Sequence, residues 1–458
     1  MARSHSVCPI EPSSQPIISV SGLRGLIGSQ LTPLVVTRYV SAFCSQLEGN
    51  RIVIARDGRE SGPMLAQAVA STLMANGCHV LDADVAATPT VGVLVRHLNA
   101  DGAIQISASH NPIEYNGLKL FNAEGRVLPA IQGRGILEAY QRGDAAWCPV
   151  ASIGRYERVA DPHQPHLDSV LAHHDGKTIR NQRFRVYLDS NRGAGSLLGK
   201  RLLDALGCDY EVGGSTPDGQ FEHPPEPIEE NLASIGPRIR DGKFQVGFCQ
   251  DPDADRLALI DEHGTYIGEE YTVALCALNF LEQRPGPFVV NCATSHMNRF
   301  VAERFGVPFF QSAVGEANVV DGIRQQKAVF GGEGNGGPID PRVGWVRDSF
   351  VGMAAILELM ARKGKSISQL VAELPKLAMI KSKMELSSQQ LQQSLEKLRL
   401  AMQADDVSTQ DGIRLSWKDR WILLRGSNTE PIVRLIAEAP TQRDAQDLID
   451  RARRSIAM

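Results

Sequence analysis

With 458 residues, 43% hydrophobic and 22% charged, the chain is long enough for two to four domains and reads as globular, neither disordered nor fibrous. Forty-eight basic residues against 52 acidic ones leave a formal charge of -4, which gives a polyanion no footprint and makes nucleic acid a poor partner. No run approaches the roughly 18 apolar residues of a membrane span, and the opening MARSHSVCPIEPSSQP lacks the apolar core of a secretory signal. The expected address is therefore the cytoplasm, with no membrane partner. Cys8, Cys44, Cys78, Cys148, Cys208, Cys249, Cys276 and Cys292 contain no CxxC pair and are expected to be reduced, mostly buried thiols.

In chain order, VSGLRGLIG sets Arg24 between glycines, which suits a surface turn as well as a ligand-facing one. The run RIVIA predicts a strand, and ARDGRESG after it adds Arg56 and Arg59 in a second turn open to the same two readings. PMLAQAVASTLMANG predicts a helix, HVLDADV a strand, and a further apolar run ends at AIQISAS, an α/β alternation. SASHNP follows that run and puts Ser109 at a strand's carboxyl end, where α/β proteins place their sites. Ser109 and His110 do not make a triad, because adjacent side chains rarely meet, and the segment also suits a turn with capping Ser and Asn. Lys119, downstream in YNGLKLF, adds an acid/base or phosphate-binding cation.

The irregular GDAAWCPVASIGRYERVADP marks a boundary near residue 155, and FRVYLDSNRGAGSLLGKRLLDALG opens a second strand-loop-helix unit. Behind FQVGFC stands QDPDADRLALID, with Asp251, Asp253 and Asp255 in strict alternation. Three carboxylates so spaced converge on one hard divalent cation, as Mg²⁺ beside a phosphate requires; a solvated acidic turn is the bland alternative. A calcium helix-loop-helix fails because Arg256 occupies the sixth position, where glycine is needed. Arg256 also suits an anion held against the metal.

A third unit opens with FVVNCATSHMNRFVAERFG and continues to GGEGNGGPID, whose glycines let a backbone approach a ligand beside Glu333 and Asn335, or form a plain hairpin. KSISQLVAEL predicts a short helix and the segment after Pro375 a connector. The last part changes character: a helix in QQLQQSLEKLRLAMQ, strands in IRLSW, WILLRGSN and IVRLIAEA, and a charged helix in RDAQDLIDRARRS predict a separate α+β domain. Its turn gathers Arg425, Ser427, Asn428 and Thr429, with Arg434 close behind, a natural cradle for a phosphate dianion.

As an ordered set, the Gly-Leu-Arg-Gly start, RDGRESG, SASHNP with NGLK, DPDADR, GGEGNGG and RGSNTEP resemble the α-D-phosphohexomutases over nearly the whole chain. The resemblance implies interconversion of hexose 1-phosphates and 6-phosphates. It implies an α/β fold of three similar α/β domains with mixed sheets plus a smaller C-terminal α+β domain around a central cleft, here 1–155, 156–258, 259–375 and 376–458. By the same resemblance Ser109 carries the phosphoryl group and shares one Mg²⁺ with Asp251, Asp253 and Asp255, with His110 beside it. Lys119 and Arg24 would move protons and stabilise the phosphoryl group in flight, and Arg256 would help hold the anion. Glu333 and Asn335 would recognise the sugar, and Arg425, Ser427, Asn428, Thr429 and Arg434 the phosphate that stays.

A hexose 1,6-bisphosphate is implied as intermediate and priming activator, a hexose phosphate as substrate, and a monomer or homodimer as the assembly. Asn335 and Gly337 stand where many relatives carry serine and a final histidine. That glycine-rich version resembles a subgroup often assigned to phosphoglucosamine mutases, so glucosamine phosphate is the first expectation and mannose and glucose phosphates the next. A regulator that binds sugar phosphates without turnover is the expectation from another class. Retention of Ser109, Lys119 and all three aspartates argues against it.

Overall fold

The computed structural model describes residues 16–19, 22–143, 145–384, 386, 388–426 and 432–457. Among these, four sheets form in chain order. The first holds β1 (Ile17–Ser19), β2 (Gly22–Leu26), β3 (Arg51–Arg56), β4 (His79–Val85), β5 (Gly102–Ile106), β6 (Tyr115–Asn122) and β7 (Tyr156–Arg158), ordered β1-β2-β6-β5-β3-β4-β7. The second holds β8 (Arg185–Asp189), β9 (Asp209–Gly213), β10 (Val246–Gln250) and β11 (Leu257–Asp261), ordered β11-β10-β8-β9. The third holds β12 (Phe288–Asn291), β13 (Phe309–Ser312), β14 (Phe330–Glu333) and β15 (Gly337–Ile339), ordered β13-β12-β14-β15. The fourth holds β16 (Ala378–Met384), β17 (Asp406–Ser408), β18 (Ile413–Ser416), β19 (Trp421–Gly426) and β20 (Val433–Ala439), ordered β16-β20-β19-β18-β17 and antiparallel throughout.

The first three sheets are mixed in the same way: parallel strands run to a central strand whose other neighbour is antiparallel, as in β5/β6, β10/β11 and β14/β15. RIVIA is apolar along its length because both faces of β3 are covered. Ile52 and Ile54 pack with the helices Pro33–Cys44 and Gly62–Ala75, while Val53 and Ala55 pack with the helix Thr88–His97 on the other side. The second and third sheets share one large core, joined by the helix Ser349–Lys363, whose residues from Ser349 to Met360 are all buried. A helix apolar on every side belongs inside a protein, and this one welds the two units together.

In the fourth unit Ile422 and Leu424 face the helices Ser388–Ala401 and Gln442–Ala457, whereas Trp421 and Leu423 turn toward Cys292 and Ala293 of the third unit. This alternation follows from the period of two along a strand. The expected connector after Pro375 is strand β16, paired along its whole length with β20. Two expected boundaries also meet strands: β7 joins the first sheet from beyond residue 155, and β11 runs across residue 258. β7 is exposed throughout and carries no apolar alternation, so nothing in its sequence marked it as part of that sheet. No helix of the described residues is long and apolar enough to cross a membrane. The seven described cysteines are free; the Sγ atoms of Cys44 and Cys78 lie 3.8 Å apart, far beyond the roughly 2 Å of a disulfide. Cys8 lies outside the described residues.

Candidate active site

Each of the four motif loops joins a strand's carboxyl end to its antiparallel neighbour: SASHNP links β5 to β6, DPDADR β10 to β11, the Gly-rich turn β14 to β15, and RGSNTEP β19 to β20. Each sheet therefore carries one motif at the carboxyl end of a strand. Gly117 in NGLK shows how closely the strands press here, since a Cβ would meet Leu23 O at 2.5 Å and Ser107 O at 2.8 Å.

The serine loop hangs on a buried ion pair. Arg59 is fully buried and bonds Asp57 through Nε at 3.1 Å. Its two other nitrogens donate to the carbonyls of Ser109 (2.7 Å), Asn111 (2.6 Å), Pro112 (2.6 Å) and Tyr115 (2.9 Å). Ser107 Oγ donates to Asp57 at 2.7 Å and accepts from Ser109 N at 2.9 Å. RDGRESG is not a surface turn at Arg59, which is buried and forms the pillar under the loop. Arg56 is the more exposed of the two arginines and pairs with Asp84 at 2.6 Å.

Held this way, Ser109 has φ of +51°, in the left-handed region a serine seldom occupies. Its Oγ donates to Asp251 Oδ2 at 2.8 Å and lies 3.2 Å from His110 Nδ1. The expectation that these adjacent side chains do not meet is corrected by the structure. Burial, with Arg256 and Arg24 close by, holds the His110 imidazole well below its usual range and so neutral.

Asp251, Asp253 and Asp255 are fully buried, and one oxygen from each lies within 4.8 Å of the others. Asp251 Oδ1 accepts from the backbone N–H groups of Asp255 and Arg256, both at 3.1 Å, which fixes the loop. Thr88 Oγ1 donates to Asp253 at 2.5 Å; Lys119 Nζ reaches Asp253 at 3.2 Å and Asp255 at 2.9 Å. Arg347 donates to Asp255 at 2.6 Å. Oδ1 of Asp253 and Oδ1 of Asp255 are buried without a hydrogen-bond partner. Orphaned carboxylate oxygens beside a third carboxylate are the donor set of a hard divalent cation, so these residues fit Mg²⁺.

Burial and the two neighbouring aspartates push the Asp251 carboxyl well up, whereas Asp255 stays far below the carboxylate range. Burial works against the Asp255 charge, but Arg347 and Lys119 outweigh it. Burial likewise opposes charge on Lys119, yet Asp253 and Asp255 hold it firmly cationic. Arg24 lies on β2, not in a turn, and donates to Asn111 Oδ1 at 2.7 Å. Arg256 approaches Asp255 at 3.9 Å.

Glu333 ends β14 and pairs in register with Gly337, so GGEGNGG is a tight hairpin. Both Glu333 oxygens are engaged: Asn291 Nδ2 (2.7 Å) and Gly315 N (2.9 Å) donate to Oε1, and Arg347 Nη1 (2.8 Å) to Oε2. Asn335 Oδ1, by contrast, is buried without a partner. Arg347 and Thr88 carried no sequence signal; only Asp348, which caps the helix Ser349–Lys363 by accepting from Phe350 N and Val351 N, is legible as a capping residue before an apolar run.

Arg425 bonds Asp411 through Nε at 2.8 Å, and the same Asp411 oxygen accepts from Val314 N of the third unit at 2.9 Å. Arg425 Nη2 is buried without a partner. Arg425 stands directly opposite Arg434 on β20, and Arg434 opposite Lys383 on β16. Cross-strand partners share a face, so three cations line one row, with Asp411 already set against Arg425. Ser427, Asn428 and Thr429 lie outside the described residues.

Four profiles of one family match the chain consecutively. They are phosphoglucomutase/phosphomannomutase alpha/beta/alpha domain I over residues 16–147, domain II over 164–264, domain III over 269–378 and the C-terminal domain over 371–455. A phosphoglucomutase/phosphomannomutase of Thermococcus kodakarensis is 34% identical over 94% of this chain and 96% of its own length. A probable phosphoglucosamine mutase of Methanopyrus kandleri is 32% identical over 94% of this chain and 95% of its own. A phosphopentomutase of Thermococcus kodakarensis is 32% identical over 95% and 96%. The crystal structure of a phosphoglucomutase/phosphomannomutase family protein from Burkholderia thailandensis matches with a TM-score of 0.85 at 27% identity, covering 96% of both chains. The chain belongs to the phosphoglucomutase/phosphomannomutase family and has its fold of four α/β and α+β domains.

Proposed function

We propose that this member of the family is a phosphohexomutase that interconverts hexose 1-phosphates and 6-phosphates through phosphorylated Ser109 and a hexose 1,6-bisphosphate, with glucosamine phosphate as preferred substrate. The observation that carries the reading is the 2.8 Å contact of Ser109 Oγ with Asp251 inside the three-carboxylate cluster. It supports the reading by setting one buried hydroxyl against carboxylates that suit a divalent cation beside a phosphoryl group. In the first half-reaction the Oγ–P bond breaks as a free sugar hydroxyl forms a new O–P bond, and the hydroxyl's proton passes to the departing Ser109 Oγ. The bisphosphate then turns over, and its other phosphoryl group returns to Ser109.

Phosphoryl transfer needs positioning and charge neutralisation more than covalent help. Mg²⁺ held by Asp251, Asp253 and Asp255 would supply Lewis-acid neutralisation of the phosphoryl oxygens. Arg24 and Arg256 add positive charge around Ser109, and neutral His110 offers a nitrogen 3.2 Å from its Oγ. Lys119 serves first as a cation; it gains a base's character when Asp253 and Asp255 share their charge with another cation. The row Arg425, Arg434 and Lys383, with the segment holding Ser427, Asn428 and Thr429, suits the phosphate that stays in place. Priming by a hexose 1,6-bisphosphate, action in the cytoplasm, and a monomer or homodimer belong to the same reading, as does the division near residues 155, 258 and 375, with the first two boundaries set just past β7 and β11.

For the substrate, the glycine-rich form of the hairpin supports the amino sugar as the first choice, and the unpartnered Asn335 Oδ1 in it is an acceptor that suits an amino or a hydroxyl donor on the ring. The test is kcat/KM for glucosamine, glucose and mannose phosphates side by side, with Mg²⁺ and a priming hexose 1,6-bisphosphate. A preference of about tenfold or more for the amino sugar is expected, the size one ring contact gives. Comparable rates for glucose and mannose phosphates would make it a dual-specificity hexose enzyme, and no turnover of any would overturn the mutase reading.

The metal assignment has its own test. Asp253→Asn keeps an acceptor for Thr88 but removes a charge from the cluster, and is expected to cost about 10²-fold or more in Mg²⁺-supported kcat. An unchanged Mg²⁺ dependence would count against these ligands.

A further inference from the structure

Arg347 is the one side chain that bonds both the carboxylate cluster and the glutamate of the Gly-rich hairpin among the described residues. It is 7% exposed, and its Nη2 reaches Asp255 at 2.6 Å while Nη1 reaches Glu333 at 2.8 Å. Its backbone N–H donates to Glu316 at 2.6 Å, so the residue is anchored at the main chain as well as at the tip. Asp348, next along, caps the helix Ser349–Lys363 and accepts or shares a proton with His166 at 2.7 Å, which fixes the direction from which Arg347 leaves the backbone. A planar guanidinium bonded to two carboxylates on separate hairpins holds them at a set distance, as an ammonium cannot.

Gly337 completes the arrangement. It faces Glu333 across the hairpin, and a Cβ built on it would lie 2.3 Å from Arg347 Cδ and 2.7 Å from its Cγ. The φ of Gly337 is not in the left-handed region, so the backbone there does not demand glycine. What demands it is the aliphatic stem of Arg347 passing over it.

We propose that Arg347 is a positioning residue that couples the sugar-recognition hairpin to the phosphoryl-transfer centre, and that Gly337 is small in order to let it through. The proposal rests on the phosphohexomutase reading and deepens it. Through one guanidinium, the position of Glu333 against the sugar ring and that of Asp255 against the phosphoryl group are set together. A substrate that binds in two orientations needs its ring held at the same distance from Ser109 in both.

The test is a mutational cycle on the full chain: Gly337→Ala, Arg347→Lys, Arg347→Ala and the double variant Gly337→Ala/Arg347→Ala. The readouts are calorimetric binding of glucose 6-phosphate, calorimetric binding of inorganic phosphate, kcat and KM, and Tm. Gly337→Ala removes no functional group, yet it is expected to weaken glucose 6-phosphate binding about tenfold and lower kcat about 10- to 100-fold, the cost of displacing a positioned group by about an ångström. Arg347→Lys keeps the charge and is expected to do the same. Binding of inorganic phosphate, which does not reach the hairpin, stays within about twofold.

The double variant is expected to be no worse than Arg347→Ala alone, because the new methyl group then meets no stem. Additive losses in the cycle, wild-type glucose 6-phosphate binding in Gly337→Ala, or an equal loss of inorganic phosphate binding would overturn the coupling role. Should Arg347→Ala not fold, Gly337→Ala and Arg347→Lys, each read for glucose 6-phosphate against inorganic phosphate, carry the test, and wild-type glucose 6-phosphate binding in either overturns the coupling role. A wild-type protein that binds glucose 6-phosphate but turns over no hexose phosphate sinks the mutase reading alone, whereas one that binds no hexose phosphate sinks both.

Discussion

Ser109→Ala is expected to abolish mutase turnover, by about 10⁴-fold or more, while leaving hexose phosphate binding within a few-fold. The size follows from the absence of a substitute. Ser107, the nearest hydroxyl along the loop, is committed to Asp57 at 2.7 Å and accepts from the backbone N–H of Ser109 itself. The loop keeps its shape without Oγ, because Arg59 holds it through carbonyl oxygens that an alanine also offers. The stability cost is one hydrogen bond to Asp251, about 1 kcal/mol. Steady-state rates, glucose 6-phosphate calorimetry and mass determination of the primed protein check it together. Near-normal turnover, or a phosphorylated variant, would remove Ser109 from the mechanism.

What the sequence made legible was local. RIVIA, FQVGFC and WILLRG announce strands by apolar runs, and the polar or Gly-rich stretch after each announces a loop at the strand's carboxyl end. Alternating aspartates announce a cluster able to hold a cation because the three carboxylates come from one segment and need no distant partner. Arg347 meets Asp255 across 92 positions and Thr88 meets Asp253 across 165, and nothing near either residue in the chain forecasts the contact. The Ser109–His110 contact was missed for a different reason. Adjacent side chains diverge in ordinary backbone, and they meet here because Arg59 and Ser107 hold Ser109 at positive φ.

The shared helix Ser349–Lys363 was legible as a helix but not as a joint. Its apolar residues cover both the second and the third sheet, and no periodicity distinguishes two covered neighbours from one. The consequence is mechanical. DPDADR and GGEGNGG are carried by units with a common core, so they hold their spacing, while the fourth unit packs on Cys292 of the third through Trp421 and Leu423.

The two arginines of RDGRESG give the sharpest contrast in stability. They stand three residues apart and the sequence does not tell them apart, yet Arg59→Ala is expected to destabilise the protein by about 3–5 kcal/mol and Arg56→Ala by at most about 1 kcal/mol. Removing Arg59 leaves the buried Asp57 without its counter-ion, strips donors from four carbonyls of the serine loop, and takes a guanidinium from the Phe221 ring 5.0 Å away. Arg59→Lys recovers little, because an ammonium replaces the forked, planar array of donors with a single point. Arg56 pairs with an Asp84 carboxylate that is 45% exposed, where water takes over most of the lost interaction. Denaturant unfolding of the two alanine variants measures both differences at once. Because the serine loop stands on Arg59, its variant is also expected to lose turnover at temperatures where it is still folded, whereas the Arg56 variant keeps it. Equal destabilisation of the two would mean that the carbonyl contacts of Arg59 are replaced by water and that the loop holds Ser109 at positive φ by its own chain.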